Sequence, residues 1–269
     1  MWGAWVALLA KVLFKKKLIV RGGYEAHQLS KFQPTSILRR IALPLISRLA
    51  YGNADRIILP TQNIKEYVIH TFSISEEKIA VINNFVNVDK FKPLPGNANG
   101  RCLFVGRFSR VKNVNNLIKA CKLAEVGLDL CGSGPEEGKL RDLVNGISAD
   151  VNFLGKIENA ELPKILAKYM VFALVSYHEG SPKALLEAMS SGLVVIGSNV
   201  PGINNVITDG ENGLLCKKDA ASIAEKLSEV KNDVTLRSKI GCSAREYIVS
   251  NFSLDAIVSK EILLYRTLV

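Results

Sequence analysis

The sequence predicts an α/β protein built on parallel sheets in two domains, and three observations lead there. From residue 100 onward, short apolar runs alternate regularly with stretches of helical periodicity, as successive βα units do. Residues 92–100, KPLPGNANG, have the composition of a hinge. The segment before that hinge shows the same alternation over a shorter length. With 269 residues, 48% of them hydrophobic, the chain has enough apolar surface for real cores.

The opening MWGAWVALLAKVLFKKK is apolar first and basic afterwards, the reverse of a signal peptide, and shorter than the roughly 20 apolar residues of a membrane span. It reads as a helix with three possible roles. The simplest is a buried helix feeding a strand at 18–21. The others are a helix on a membrane surface, with Trp2 and Trp5 at the headgroups and Lys15, Lys16 and Lys17 on anionic lipid, or part of a substrate-facing surface. Further strands follow at 55–59 and 79–82, with helices at 36–51 and 62–72. Past the hinge the expected strands are 102–105, 127–131, 151–154, 171–175, 193–197 and 213–215. Helices are expected at 113–124, 136–146, 159–168, 182–191, 203–208, 219–230 and 233–250, and a last one at 253–268. The domains expected are therefore 1–95, 96–250 and a terminal helix in 251–269. Such parallel sheets bind ligands at the carboxyl ends of their strands.

The formal charge of +10, from 35 basic and 25 acidic side chains, favours anionic partners such as nucleotides, acidic glycans or lipid headgroups. Nucleic acid is not expected, because no zinc-spaced cysteines, aromatic RNA-binding motif or long basic block accompanies the charge. Five cysteines, an odd number mostly inside apolar segments, suit a reducing cytoplasm.

The chemistry concentrates in residues 175–187, VSYHEGSPKALLE, where seven residues separate Glu179 from Glu187. Ser181 suits a helix N-cap and Pro182 the first helical position, so the turn Gly180–Ala184 leaves N–H groups of Lys183 and Ala184 free for an anion. One carboxylate before that anion site and one about a turn and a half into the helix can grip hydroxyls on both sides of a diphosphate, as a nucleotide-sugar requires. Gly132-Ser133-Gly134 is not a dinucleotide fingerprint, since the next glycine is Gly138 and Glu136 and Glu137 would repel a pyrophosphate. Metal is not expected: no Asp-x-Asp occurs, and His27, His70 and His178 lack ligand spacing. There is no GxSxG elbow and no P-loop.

Together with LFVGRFSRVKN at 103–113, LCGSGPEEGKL at 130–140, VNFLGK at 151–156, LLEAMSSGLVVIGSNVPGI at 185–203 and DGENGLL at 209–215, this segment resembles the EX7E signature of GT-B retaining glycosyltransferases of family 4. Weaker echoes at 54–64 and 78–91 extend the resemblance toward the N-terminus. It implies a Rossmann-like nucleotide-sugar domain preceded by an N-terminal Rossmann-like domain, of which this chain carries only the latter half. It further implies transfer of a sugar, with retention and without metal, from a UDP- or GDP-sugar to a glycan or lipid-linked acceptor of a surface polysaccharide, in the cytoplasm at the inner membrane face.

By the same resemblance Glu187 binds ribose hydroxyls, and Glu179 touches the donor sugar as positioning and electrostatic support. Arg107 and Lys112, five apart after a strand, reach the diphosphate, whose charge grows as it leaves. Gly132 lines the nucleotide pocket, Ile157 meets the base through its backbone, and Gly180, Ser181, Lys183 and Ala184 form the turn at the phosphates. Each residue also has an ordinary role beside this one. Arg107 and Lys112 can be solvated surface cations, Glu187 an i,i+4 partner of Lys183, Glu179 a carboxylate on a helix dipole, Gly132 a structural turn and His178 a pocket wall. Departures from the family pattern lie at Arg21, where a His is usual, at Asn83–Asn87 and at Asn205, where a Glu is usual. They put acceptor chemistry in question and leave donor binding intact. The competing reading is a noncatalytic or split subunit that needs a partner chain or self-associates to complete its first sheet.

Overall fold

A computed structural model describes residues 4–22, 37–94 and 99–268. The chain forms two compact units, Met1–Asn84 with Asp255–Val269, and Phe85–Leu254.

The first unit contains α1 (Ala4–Phe14), β1 (Ile19–Arg21), α2 (Ile37–Asn53), β2 (Arg56–Leu59), α3 (Gln62–Phe72) and β3 (Ile79–Val81). Its three strands are parallel in the order β1-β2-β3. Thr61 starts α3 by accepting the Ile64 N–H, and Ser73 ends it in the left-handed region at φ 55°. Tyr51, Ile57, Leu59, Val68 and Phe72 form one core; Ile58 and Ile82 meet Ile257 of the terminal helix Leu254–Arg266 in another.

The buried helix expected at the N-terminus is not what forms. No side chain described in α1 is buried, and Val6, Leu9, Val12, Leu13 and Phe14 are 53–76% exposed. The helix is held by its one polar residue: Lys11 Nζ donates to Asn53 O at 2.7 Å and to Asp55 Oδ2 at 2.8 Å. That anchor leaves an apolar face outward, running into the exposed Lys15, Lys16 and Lys17. Trp2, Gly23, His27 and the Trp5 side chain lie outside the described residues. Among the described residues no helix is long and apolar enough to cross a membrane.

The second unit contains β4 (Asn99–Val105), α4 (Val114–Leu123), β5 (Leu128–Cys131), α5 (Glu137–Ile147), β6 (Val151–Gly155), α6 (Leu162–Leu166), β7 (Tyr169–Leu174), α7 (Lys183–Ser190), β8 (Val194–Ser198), β9 (Leu214–Cys216), α8 (Ala220–Asn232) and α9 (Val234–Phe252). All six strands are parallel, in the order β6-β5-β4-β7-β8-β9. Strand order therefore reverses between β4 and β7, which opens a crevice at their carboxyl ends. The opposite end is locked by Asp129, 5% exposed, which accepts from Arg101 Nε at 2.7 Å, Asn152 Nδ2 at 2.9 Å and Tyr169 OH at 2.5 Å.

Two further expectations need correction. The segment expected as a helix at 203–208 is a run of turns: Gly202 takes φ 89°, and Asn205 Oδ1 and Asn212 Oδ1 accept the backbone N–H groups of Gly202 and Thr208 that a helix would use otherwise. The units also divide at Asn84/Phe85, before the proposed hinge. Val86 N–H donates to Phe252 O at 2.9 Å, Phe91 is 3% exposed, and its carbonyl accepts from Ser190 Oγ and Arg245 Nη1, so residues 85–91 dock on the second unit. Residues 95–98 lie outside those described.

Candidate functional site

The crevice is walled by the loops after β4, β5 and β7. Gly106 N–H donates to Cys131 O and Phe108 N–H to Ser133 O, both at 2.9 Å, so the first two loops run backbone against backbone. Glycine is required for that approach. A Cβ on Gly132, at φ 140°, would sit 1.9 Å from Gly106 O, and one on Gly134 2.3 Å from Phe108 O. The contact accounts for Gly132 as a structural turn.

After Phe108 a 3-10 turn carries Arg110–Lys112 and ends at Asn113, left-handed at φ 56°. Asn113 is fully buried, and its Nδ2 donates to Val175 O at 3.0 Å and Lys218 O at 2.8 Å. Tyr177 N–H donates to Val111 O at 2.8 Å. The loops after β4, β7 and β9 are thereby joined, and Lys112 is held beside the segment that carries Glu179. Lys112 Nζ lies 2.6 Å from Glu179 Oε1, and Ser176 Oγ donates to the same oxygen at 2.6 Å. Both charges are largely out of water, the side chains being 23% and 10% exposed. Lys112 is therefore not a solvated surface cation. Arg107 is exposed, and its guanidinium makes no hydrogen bond or ion pair among the described residues.

Helix α7 begins one residue later than the sequence suggests. Pro182, extended at ψ 105°, occupies the cap position in place of Ser181 and makes no side-chain capping hydrogen bond. Leu185 and Leu186 N–H groups bond Pro182 O, which leaves Lys183 and Ala184 as the first helical donors without an intrahelical acceptor. Gly180 and Ser181 are half-buried in the approach. Gly202, at φ 89°, passes so near that a Cβ would lie 2.5 Å from Glu179 O and 2.7 Å from Gly180 O.

Glu187 is half-buried, and its carboxylate makes no hydrogen bond or ion pair among the described residues, although its backbone carbonyl accepts from Ser191. Burial pushes its carboxyl up, with Lys183 and Lys90 pulling the other way. The i,i+4 pair with Lys183 does not form; Lys183 Nζ stands over the Phe85 ring, 5.4 Å from its centroid. Ile157, two residues beyond Gly155 at φ 70°, is half-buried against the core. Burial lowers the His178 pKa, against the upward pull of Glu179. Among the described residues no group of three or more His, Cys, Asp or Glu could hold a metal ion.

Sequence reasoning singled out both carboxylates and both cations but not Ser176, Ser198, Asn113 or Gly202, which pack around the loops that carry Lys112 and Glu179. A signal existed for Asn113, an Asn following a lysine at a helix start. None existed for the serines.

A sequence model of the family described as "Glycosyl transferases group 1" matches residues 87–247, and one described as "Glycosyltransferase Family 4" matches residues 1–90. The chain is 32% identical over 223 residues to the lipopolysaccharide core biosynthesis glycosyltransferase LpsE of Rhizobium meliloti, covering 78% of this chain and 64% of that protein. It is 32% identical over 165 residues to N-acetyl-alpha-D-glucosaminyl L-malate synthase of Bacillus anthracis, covering 59% of this chain and 43% of that one. It thus spans less than two thirds of the length of either relative. The crystal structure of Anabaena Alr3699/HepE in complex with UDP superposes with a TM-score of 0.86 at 19% identity, covering 98% of this chain and 76% of that one, which shows a shared GT-B type fold.

Proposed function

Because the chain belongs to the group 1 glycosyl transferases, we propose that it takes a UDP- or GDP-sugar at the carboxyl ends of β4 and β7 and transfers the sugar, with retention, to a glycan or lipid-linked acceptor of a surface polysaccharide. One observation carries the reading: Lys112, in the loop after β4, pairs at 2.6 Å with Glu179, in the loop that leads into the N-terminus of α7, where strand order reverses. Cations and free helical N–H groups suit a diphosphate; carboxylates suit hydroxyls.

In this reading the diphosphate lies against the N–H groups of Lys183 and Ala184, with Lys112 and the free Arg107 as counter-charges. Negative charge accumulates there as the glycosidic bond to phosphate breaks, so these groups stabilise the transition state more than the ground state and take the part a metal plays elsewhere. Glu187, in need of donors, accepts two ribose hydroxyls. Glu179 receives the sugar. The relative named for lipopolysaccharide core biosynthesis and the structural neighbour in complex with UDP support the acceptor class and the nucleotide. On the first unit, the exposed apolar face of α1 beside Lys15, Lys16 and Lys17 supports contact with anionic lipid, where lipid-linked acceptors reside.

Calorimetry with UDP and GDP in EDTA tests the donor site. Glu187→Ala should weaken nucleotide binding by about 1.5–3 kcal/mol, whereas Glu179→Ala should leave free-nucleotide affinity nearly unchanged and abolish transfer of a radiolabelled sugar. Binding that needs Mg²⁺ or Mn²⁺, or equal weakening by both substitutions, overturns the assignment.

A further inference from the structure

Ser176 is fully buried just beyond β7, and its hydroxyl donates to Glu179 Oε1 at 2.6 Å. Its backbone is pinned on several sides. Ser198 Oγ, also fully buried, donates to Ser176 O at 2.6 Å; Asn113 Nδ2 holds the carbonyl of Val175; and Tyr177 N–H is tied to Val111 O. On so fixed a backbone the hydroxyl stays within reach of Glu179. Lys112 Nζ occupies the same Glu179 oxygen, while Oε2 accepts no hydrogen bond among the described residues.

On the transferase reading given above, we propose that Ser176 is a positioning residue for the donor sugar, holding Glu179 by Oε1 so that Oε2 is left for a sugar hydroxyl. The argument is a competition for Lys112. In the free site its ammonium serves Glu179 alone. A diphosphate brings more charge than one carboxylate and draws the lysine on its flexible stem toward itself. Glu179, 10% exposed, would then lose its main partner in a site poor in water. The serine hydroxyl is neutral and rigidly mounted, so it does not follow the phosphate and remains as the donor that keeps the carboxylate aimed. Nucleotide affinity is therefore insensitive to Ser176, whereas everything that depends on the sugar is sensitive to it.

The test compares the dissociation constants of UDP, GDP and a panel of UDP-glucose, UDP-N-acetylglucosamine, UDP-galactose and GDP-mannose, by calorimetry on the full chain, for wild type, Ser176→Ala, Glu179→Ala and the double variant. For the sugar donor that wild type binds, Ser176→Ala should weaken affinity about fivefold to tenfold, with the matching free nucleotide changed less than twofold. In the Glu179→Ala background the same substitution should add nothing. Ser198→Ala, which removes only the brace on the Ser176 backbone, should move the donor affinity in the same direction by less, and it serves if Ser176→Ala does not fold. Equal weakening of nucleotide and sugar donor, no weakening of either, or an undiminished effect of Ser176→Ala without Glu179 overturns the proposal. A wild-type chain that binds no nucleotide at all overturns the transferase reading and this proposal with it.

Discussion

Glu187 is a carboxylate held where its charge is disfavoured: half-buried, without a hydrogen bond or ion pair among the described residues, its carboxyl pushed up by burial against the pull of Lys183 and Lys90. A carboxyl raised on folding contributes stability that is present below its unfolded value of 4.5 and is lost as pH rises through the folded value. Glu187→Gln should therefore raise Tm at neutral pH, and the gain should vanish at acid pH, where the carboxyl is protonated in both states. Calorimetric scans at pH 7 and at about pH 4 check this; a Tm lowered at neutral pH would show that the ionised group has a partner and is not waiting for a ligand. At this scale the sequence was legible in part. The spacing of Glu179 and Glu187 is local and survives as read, set by the turn and the first turns of α7. The pairing of Lys112 with Glu179 was not legible, because they lie 67 positions apart and only the adjacency of β4 and β7 brings their loops together. The role of Ser176 was hidden for the same reason: a buried serine beyond a strand looks in sequence like any other.

Elements buried on both faces were the easiest to read. β8 is buried at every position, and the apolar run at 194–197 marks it as such a strand; β5 is buried throughout as well, with Asp129 the one charged residue in it. The run at 203–208 failed because periodicity sees Ile203, Val206 and Ile207 on one face but not the side-chain oxygens of Asn205 and Asn212 that capture local N–H groups. α1 failed because composition alone does not say which way an apolar helix faces. Its outward face should bind vesicles rich in phosphatidylglycerol and leave phosphatidylcholine vesicles alone, and Leu9→Glu with Leu13→Glu should abolish the sedimentation. Binding indifferent to lipid charge would count against a role for Lys15, Lys16 and Lys17. At the far end of the second sheet, Asp129→Ala should cost about 3–5 kcal/mol by leaving Arg101 and Tyr169 without their buried acceptor. Chemical denaturation reads that loss. UDP affinity of the folded variant should be unchanged, since the network lies at the opposite ends of the strands from the crevice; a matching loss of affinity would deny the division between a structural and a ligand-binding end.

The two units differ in what they can do alone. Every residue assigned to donor binding, from Arg107 to Glu187, falls in Phe85–Leu254, which is continuous in sequence and has its own core. Residues 85–254 expressed separately should fold and bind UDP within about threefold of the full chain, as expected when a domain keeps its own core, with sugar transfer lost. Loss of UDP binding on excision would show that the first unit supplies part of the nucleotide site. The boundary at Asn84 escaped the sequence because Pro, Gly and Asn at 92–100 advertise flexibility, while the segment just before them is fastened by Phe91 and by carbonyls that Arg245 grips. One detail of that fastening reaches further. Val86, where the chain enters this unit, forms a parallel bridge with Ser253, where it leaves. Entry and exit stand side by side, as the two legs of a plug do, so the unit is an insertion that its host sequence needs only to open and close at a single point. A segment whose two ends meet can leave or enter a chain without pulling the flanking sequence apart, so the geometry of residues 85–254 makes no demand on the spacing of the residues on either side.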